Sequence, residues 1–232
     1  MFDDFAKLDL IDDGFIKIPE HLESAFIETA SIVKVKRGQT FMSKSDESTS
    51  VYLINSGRIE FTLYSVTAKE TLYRECGPGE LIGELAAVDE SPRSMNAVAV
   101  EDSTLFSLSR NAFLSLIDAN PEFRSWFMSL LVGRIRDLSH RILVLTTLTV
   151  PCRVWLELLQ RCEQVSSDED CVTLNNFPVH RKLAAKLGTH REAISREFSL
   201  LTKDGLIKQQ GRQLEVCSVS RLRRMIIRHL GD

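Results

Sequence analysis

The pattern of hydrophobic and polar positions changes texture three times along the chain. Residues 1–30 set Phe2, Phe5, Leu8, Leu10, Ile11, Phe15 and Ile18 ahead of the stretch 20–30, which predicts short helical pieces before a sheet. From residue 31 to 108 short β-rich runs take over, at 32–35, 40–42, 51–55, 59–63, 71–74, 97–100 and 104–107. Arg37-Gly38, Ser56-Gly57 and Gly77-Pro78-Gly79 punctuate them as turns. Several short strands at close spacing predict an antiparallel barrel or roll.

The period then becomes helical. Residues 110–118 read as a short helix, and Asn120-Pro121-Glu122 starts a long one, Asn being a good N-cap and Pro favoured at the first helical position. No proline interrupts before Pro151. Met128, Leu131, Ile135, Leu138, Ile142 and Leu145 recur at alternating steps of 3 and 4, a heptad seam on a helix of roughly 25 residues, about 38 Å. Such a seam pairs two copies of the helix; it could also pack on its own domain.

After Pro151, residues 152–162 form an amphipathic helix and 163–176 a polar, acidic connection. Residues 178–188, a glycine break at Gly188 and 189–203 then have the shape of a helix-turn-helix. At about 100° per residue, Ile194, Phe198 and Leu201 share one side of the second helix, while Arg191, Glu192, Ser195 and Arg196 cover a separate arc. Such arginines can bond guanine edges, and Glu192 can accept from the amine of cytosine. Thr189-x-x-Glu192 also reads as a capping box, and the two roles are compatible. Residues 205–207 and 214–216 flank Gln210-Gly211-Arg212, a hairpin wing with a basic tip, and 220–230 form a final basic helix.

Charge sharpens this division. Residues 1–150 carry 15 Lys and Arg against 22 Asp and Glu, a net −7, and residues 151–232 carry 14 against 10, a net +4. An acidic front and a basic tail point to nucleic-acid binding by the C-terminal part alone. Cys76, Cys152, Cys162, Cys171 and Cys217 are odd in number and lack metal-ligand spacing, so they read as reduced thiols, with no metal implied. Neither an 18-residue apolar run nor a basic-then-apolar leader occurs, and a cytoplasmic location with no membrane partner is expected.

The candidate chemistry sits between two predicted strands. Ile82-Gly83-Glu84-Leu85 is followed by Ser91-Pro92-Arg93-Ser94. Without a metal, a phosphate calls for a planar, permanently charged donor, which Arg93 offers, together with the Ser94 hydroxyl and the backbone amides around Gly83. A carboxylate beside that phosphate must bind something else on the ligand, and a ribose hydroxyl suits Glu84. The same residues also fit a hairpin turn with a surface Glu and Arg.

Gly83-Glu84-Leu85 with Pro92-Arg93-Ser94, and Gly188-Thr189-His190-Arg191-Glu192 with Ser195-Arg196, resemble the two signature stretches of the cyclic-AMP receptor protein (catabolite activator) family of bacterial regulators. The resemblance spans essentially the whole chain. It implies an α+β protein: a cyclic-nucleotide-binding, jelly-roll-like antiparallel β-roll over 1–119, a dimerisation helix and hinge over 120–150, and a winged helix-turn-helix over 151–232. It implies Glu84 on the ribose hydroxyl, Arg93 and Ser94 on the cyclic phosphate, assisted by backbone amides of Glu84 and Leu85. It places Arg134 near the base and makes Ser139 the serine that reaches across the dimer. The ligand is then cyclic AMP, with cyclic GMP the other candidate. The partners implied are a second copy, RNA polymerase, and a palindromic DNA with TGTGA-like half-sites read by Thr189, His190, Arg191, Glu192, Ser195 and Arg196, with Arg212 on phosphate.

Two departures stand beside the match. The family's cyclic-AMP sensors carry Thr-Ser where this chain has Leu138-Ser139, and Val179 replaces the usual Ser or Thr cap of the first DNA helix. The rival expectations are a family regulator sensing another effector or none, and a nucleotide-sensing regulatory subunit of an enzyme. Catalysis by the chain itself has no support, since no nucleophile and base pair, metal set or phosphate loop is present in the sequence.

Overall fold

Residues 17–64, 70–166 and 168–231 are described by a computed structural model of the protein. The helical pieces expected before residue 17 lie outside the described residues. Two compact units result, one of residues 14–135 and one built on residues 136–232.

In the first unit, helix α1 (Glu20–Ile27) precedes eight strands: β1 (Ser31–Val35), β2 (Thr40–Met42), β3 (Val51–Ser56), β4 (Ile59–Tyr64), β5 (Glu70–Cys76), β6 (Leu81–Ile82), β7 (Asn96–Ala99) and β8 (Ser103–Leu108). They form two four-stranded antiparallel sheets, in the orders β1-β8-β3-β6 and β2-β7-β4-β5. Alternation along the strands decides what each face buries. Ile54 and Leu105 of one sheet and Ile59, Phe61, Ala97 and Ala99 of the other fill the space between the sheets. Val51, Leu53 and Leu108 point the opposite way, onto a helical layer.

That layer contains α1, the short α2 (Leu85–Asp89), α3 (Arg110–Ala119) and the start of α4 (Pro121–Thr147). Phe26, Phe113, Phe123 and Phe127 are its anchors, with the Phe113 and Phe127 rings edge to face at 5.3 Å. The start of α4 is as expected from sequence. The Asn120 Oδ1 atom accepts from the backbone N–H groups of Glu122 at 3.1 Å and Phe123 at 3.0 Å.

The second unit contains the end of α4, α5 (Val150–Val165), β9 (Val172–Leu174), α6 (His180–Lys186), α7 (Arg191–Lys203), β10 (Ile207–Gln210), β11 (Gln213–Val216) and α8 (Val219–Gly231). One core runs through it, from Cys152, Leu158 and Phe177 to Ile194, Phe198, Leu201, Leu214 and Leu222.

Two expectations are corrected. The stretch 163–176 is not only a connection: it contains β9, which makes the wing a three-stranded sheet, β10-β11-β9. The capping box at Thr189 does not form. Thr189 and Gly188 instead close the end of α6, Thr189 N–H donating to Ala184 O at 2.9 Å with Gly188 at φ +60°. Helix α7 consequently starts at Arg191, with His190 in the cap position and no side-chain cap bond.

Candidate functional site

Strand β6 ends at Ile82 and the chain turns through Gly83 at φ +84°. A Cβ at that position would lie 2.7 Å from Arg93 Nη1 and 2.9 Å from Ser50 O. Only glycine lets the guanidinium lie against the turn. Arg93 is 4% exposed and donates from Nη1 to Gly83 O at 2.6 Å, from Nη2 to Ser50 O at 2.7 Å and from Nε to Ser48 Oγ at 3.1 Å.

All three acceptors are neutral oxygens. Burial pushes the Arg93 pKa below the usual guanidinium value, a shift opposed by Tyr52, Asp46 and Glu84. A buried cation bonded to neutral oxygens is an electrostatic demand for an anion. The donor set therefore fits a phosphate.

Glu84, 2% exposed, stands one residue on at the cap of α2. Its carboxylate is ion-paired with Arg134 of α4, whose Nη2 also donates to Leu81 O at 2.8 Å. Glu80 lies nearby, accepting from Gly77 N–H at 2.8 Å, and burial pushes its carboxyl pKa up. Gly83, Glu84, Arg93 and Arg134 are thus one bonded group. Leu85 and Ser94 are exposed beside them in the chain, and Ser139 is exposed further along α4. The roles of Ser48, Ser50 and Tyr52 in seating Arg93 are missed from sequence, because two of the three bonds to Arg93 end on backbone carbonyls.

Along α4 two stripes separate. Phe123, Trp126, Phe127 and Leu130 are buried in their own unit. Of the heptad seam, Met128, Ile135, Leu138, Ile142 and Leu145 are 57%, 63%, 43%, 62% and 38% exposed, and Leu131 alone packs partly on the core. An apolar row of this length open to water is the kind of surface that marks an interaction site.

In the second unit, Ile194, Phe198 and Leu201 are buried and Arg191, Glu192 and Arg196 exposed, the division expected from helical angle. Ser195 is half-buried, and its hydroxyl bonds Nδ1 of His180 at 3.0 Å, tying the two helices of the motif. Between α6, α7 and the wing lies a cleft of about 430 Å³ bordered by Pro178, Arg181, Arg191 and Arg212. Three guanidinium groups around one cleft suit a phosphate chain. Thr189 is half-buried and His190 exposed at the foot of α7.

Helix α5 holds the motif through polar groups that the sequence does not flag. Arg153 Nη1 donates to Leu187 O at 2.5 Å, Trp155 Nε1 to Glu197 Oε1 at 2.6 Å, and the buried Glu157 takes Arg161 at 2.6 Å and Lys186 at 3.2 Å.

Comparison with known proteins follows the same division. Residues 32–120 match the cyclic nucleotide-binding domain and residues 152–225 the Crp-like helix-turn-helix domain. The cyclic AMP receptor protein of Thermus thermophilus is 31% identical over 172 residues, 74% of this chain and 77% of that protein. The chain belongs to the cyclic AMP receptor protein family of transcription regulators. This CRP-family protein is also 25% identical over 193 residues to the CRP-like cAMP-activated global transcriptional regulator of Mycobacterium tuberculosis, 83% of this chain and 86% of that one. The fold is that of CprK complexed with OCPA, with TM-score 0.77, 16% identity and coverage of 91% of this chain and 97% of that one. The family member is accordingly a cyclic-nucleotide-binding, DNA-binding regulator of α+β fold. Among the described residues, no helix is long and apolar enough to cross a membrane.

Proposed function

We propose that this protein is a homodimeric regulator that binds a palindromic DNA site when a cyclic purine nucleotide, cyclic AMP or cyclic GMP, occupies the β-roll. The observation that carries the reading is Arg93: a guanidinium 4% exposed, seated by Gly83 and given only neutral partners. Arg93 and Ser94 hold the cyclic phosphate with help from the amides of Glu84 and Leu85. Glu84 takes the ribose hydroxyl, and Arg134 and Ser139 attend to the base.

The division of labour is a β-roll over 1–119, a dimerisation helix and hinge over 120–150, and a DNA-binding domain over 151–232. The exposed seam of α4 pairs with that of a second copy. Two α7 helices then enter successive major grooves, about 34 Å apart, at TGTGA-like half-sites. Arg191, Glu192 and Arg196 face the bases, Thr189, His190 and Ser195 frame them, and Arg212 takes phosphate. RNA polymerase is the further partner, and the cytoplasm the place of action.

Glu84 supplies the switch. It is already bonded to Arg134 of α4, so a ligand hydroxyl arriving at Glu84 acts directly on the long helix. Such a ligand drives the change only by binding one helix arrangement better than the other.

A second reading, another anionic effector at the same guanidinium, is favoured by Leu138, which leaves one hydroxyl fewer beside Ser139 than in the family's cyclic-AMP sensors. Fluorescence anisotropy of a palindromic duplex with no nucleotide, cyclic AMP and cyclic GMP distinguishes them. Tightening by one nucleotide supports the first reading. Equal affinity in all three conditions rejects it.

A further inference from the structure

Two of the five cysteines meet on the outer face of the wing sheet. Strands β9 and β11 pair Leu174 with Leu214, Thr173 with Glu215 and Val172 with Val216. Leu174, Leu214, Val172 and Val216 are buried, so Thr173 and Glu215 face outward. Extending the same register by one residue would set Cys217 opposite Cys171, on the side of Glu215. At the opposite end the register also continues past the paired residues, Gln213 Nε2 donating to Asn175 Oδ1 at 3.1 Å.

One carboxylate lies beside both thiols. The Cys217 thiol donates to Glu215 Oε1 at 3.5 Å. Lys208 holds the Glu215 carboxyl below its ordinary value, and the neighbouring Cys217 and Cys171 thiols add to that. The Cys217 backbone is fixed by its N–H bond to Leu206 O at 2.8 Å. Directly opposed residues of an antiparallel pair have Cα atoms about 4.5–5.5 Å apart, a separation that a disulfide spans.

We propose that Cys171 and Cys217 are a redox modification site, a dithiol that closes into an intrachain disulfide across β9 and β11. The oxidant is a low-molecular-weight disulfide, RSSR. Cys171, the exposed member, loses its proton, and its thiolate attacks one sulfur of RSSR. The RS–SR bond breaks, and the departing RS⁻ takes up a proton. Cys217 then loses its proton and attacks Cys171 Sγ in the mixed disulfide, releasing the second RS⁻, which is protonated in turn. Two protein thiols are oxidised and one RSSR is reduced to two RSH.

The order of attack follows from the surroundings. Burial and the Glu215 carboxylate push the Cys217 pKa up, against the pull of Lys208, so Cys217 is the resolving thiol. The remaining cysteines are shielded from solvent. Cys76, Cys152 and Cys162 are buried, and burial pushes Cys152 to about 11 and Cys162 to about 12. The closed loop runs from 171 to 217 and contains α6, α7, β10 and Arg212, every residue assigned above to DNA.

The test treats the full chain with oxidised glutathione, alkylates free thiols and maps peptides without reduction. The expected result is a linked Cys171–Cys217 peptide within single chains, reversed by dithiothreitol, with Cys76, Cys152 and Cys162 alkylated. Cys171→Ser and Cys217→Ser each abolish the link, and the remaining thiol carries glutathione instead. The linked form melts higher by roughly 10 °C, since the cross-link restricts the unfolded chain. Separate alkylation of Cys171 and Cys217 after oxidation, stable glutathione adducts on both, or links only between chains would overturn the proposal.

Discussion

Arg134, from the middle of α4, is ion-paired with the buried carboxylate of Glu84 and also donates to Leu81 O at 2.8 Å. The pair joins the cassette to the long helix by charge as well as by packing. Arg134→Ala leaves Glu84, 2% exposed, without its countercharge. The expected loss is about 2–3 kcal/mol, reduced from the fully buried case because the Arg134 side chain is partly exposed. Urea denaturation of Arg134→Ala, Glu84→Gln and the double variant checks it, the double costing less than the two singles together.

Glu80 gives a pH signature. Burial holds its carboxyl pKa above the ordinary value of 4.5, against the Gly77 N–H and the charges of Arg74 and Arg134. The folded form therefore keeps a proton that the unfolded chain has lost, and stability falls as pH rises from 4.5 through the folded value. Glu80→Gln removes this slope and retains the acceptor for Gly77 N–H. Melting curves should show the wild type losing ground to Glu80→Gln between mildly acidic and neutral pH.

The seam of α4 is tested by charge. Ile135 and Ile142 are 63% and 62% exposed, so Ile135→Glu with Ile142→Glu disturbs neither core. In the proposed dimer these four isoleucines would be buried and contribute on the order of 6 kcal/mol or more to association. Sedimentation is expected to give half the wild-type mass with unchanged circular dichroism.

At the DNA face, two arginines should behave differently. Arg196→Ala removes an outward group of α7 and is expected to cost about 1–3 kcal/mol on the preferred site while relaxing sequence preference. Arg212→Ala, at the wing tip, should weaken all duplexes alike and lower the salt slope by about 1. Anisotropy titrations at several salt concentrations separate the two.

What the sequence revealed was what local chemistry dictates. The start of α4 was legible because Asn120 caps it with its own side chain, and the buried face of α7 because Ile194, Phe198 and Leu201 follow helical angle. Strand β6 was not, since two residues cannot show alternation, nor α2, whose Leu85 and Val88 are 49% and 47% exposed and mark no apolar face. β9 was hidden within a polar stretch whose pairing partner lies some 40 residues on. In the cassette, Gly83, Glu84, Arg93 and Ser94 could be picked out by residue type. The acceptors at Gly83 O and Ser50 O could not, because every residue carries a carbonyl. Nor could the Arg134 to Glu84 pair, which depends on where a distant helix passes. Thr189 misled for a related reason: its sequence fits a cap, but the end of α6 uses its N–H first.

The central claim is that Arg93 is the phosphate anchor of a cyclic-nucleotide site. Isothermal titration of cyclic AMP and cyclic GMP into the wild type, Arg93→Lys and Arg93→Ala, each first shown to be folded, tests it most directly. The expected result is saturable binding of one nucleotide by the wild type, weaker binding by Arg93→Lys, and a loss of roughly 2–4 kcal/mol in Arg93→Ala. Absence of binding heat with either nucleotide in the folded wild type, or undiminished binding by Arg93→Ala, would contradict it.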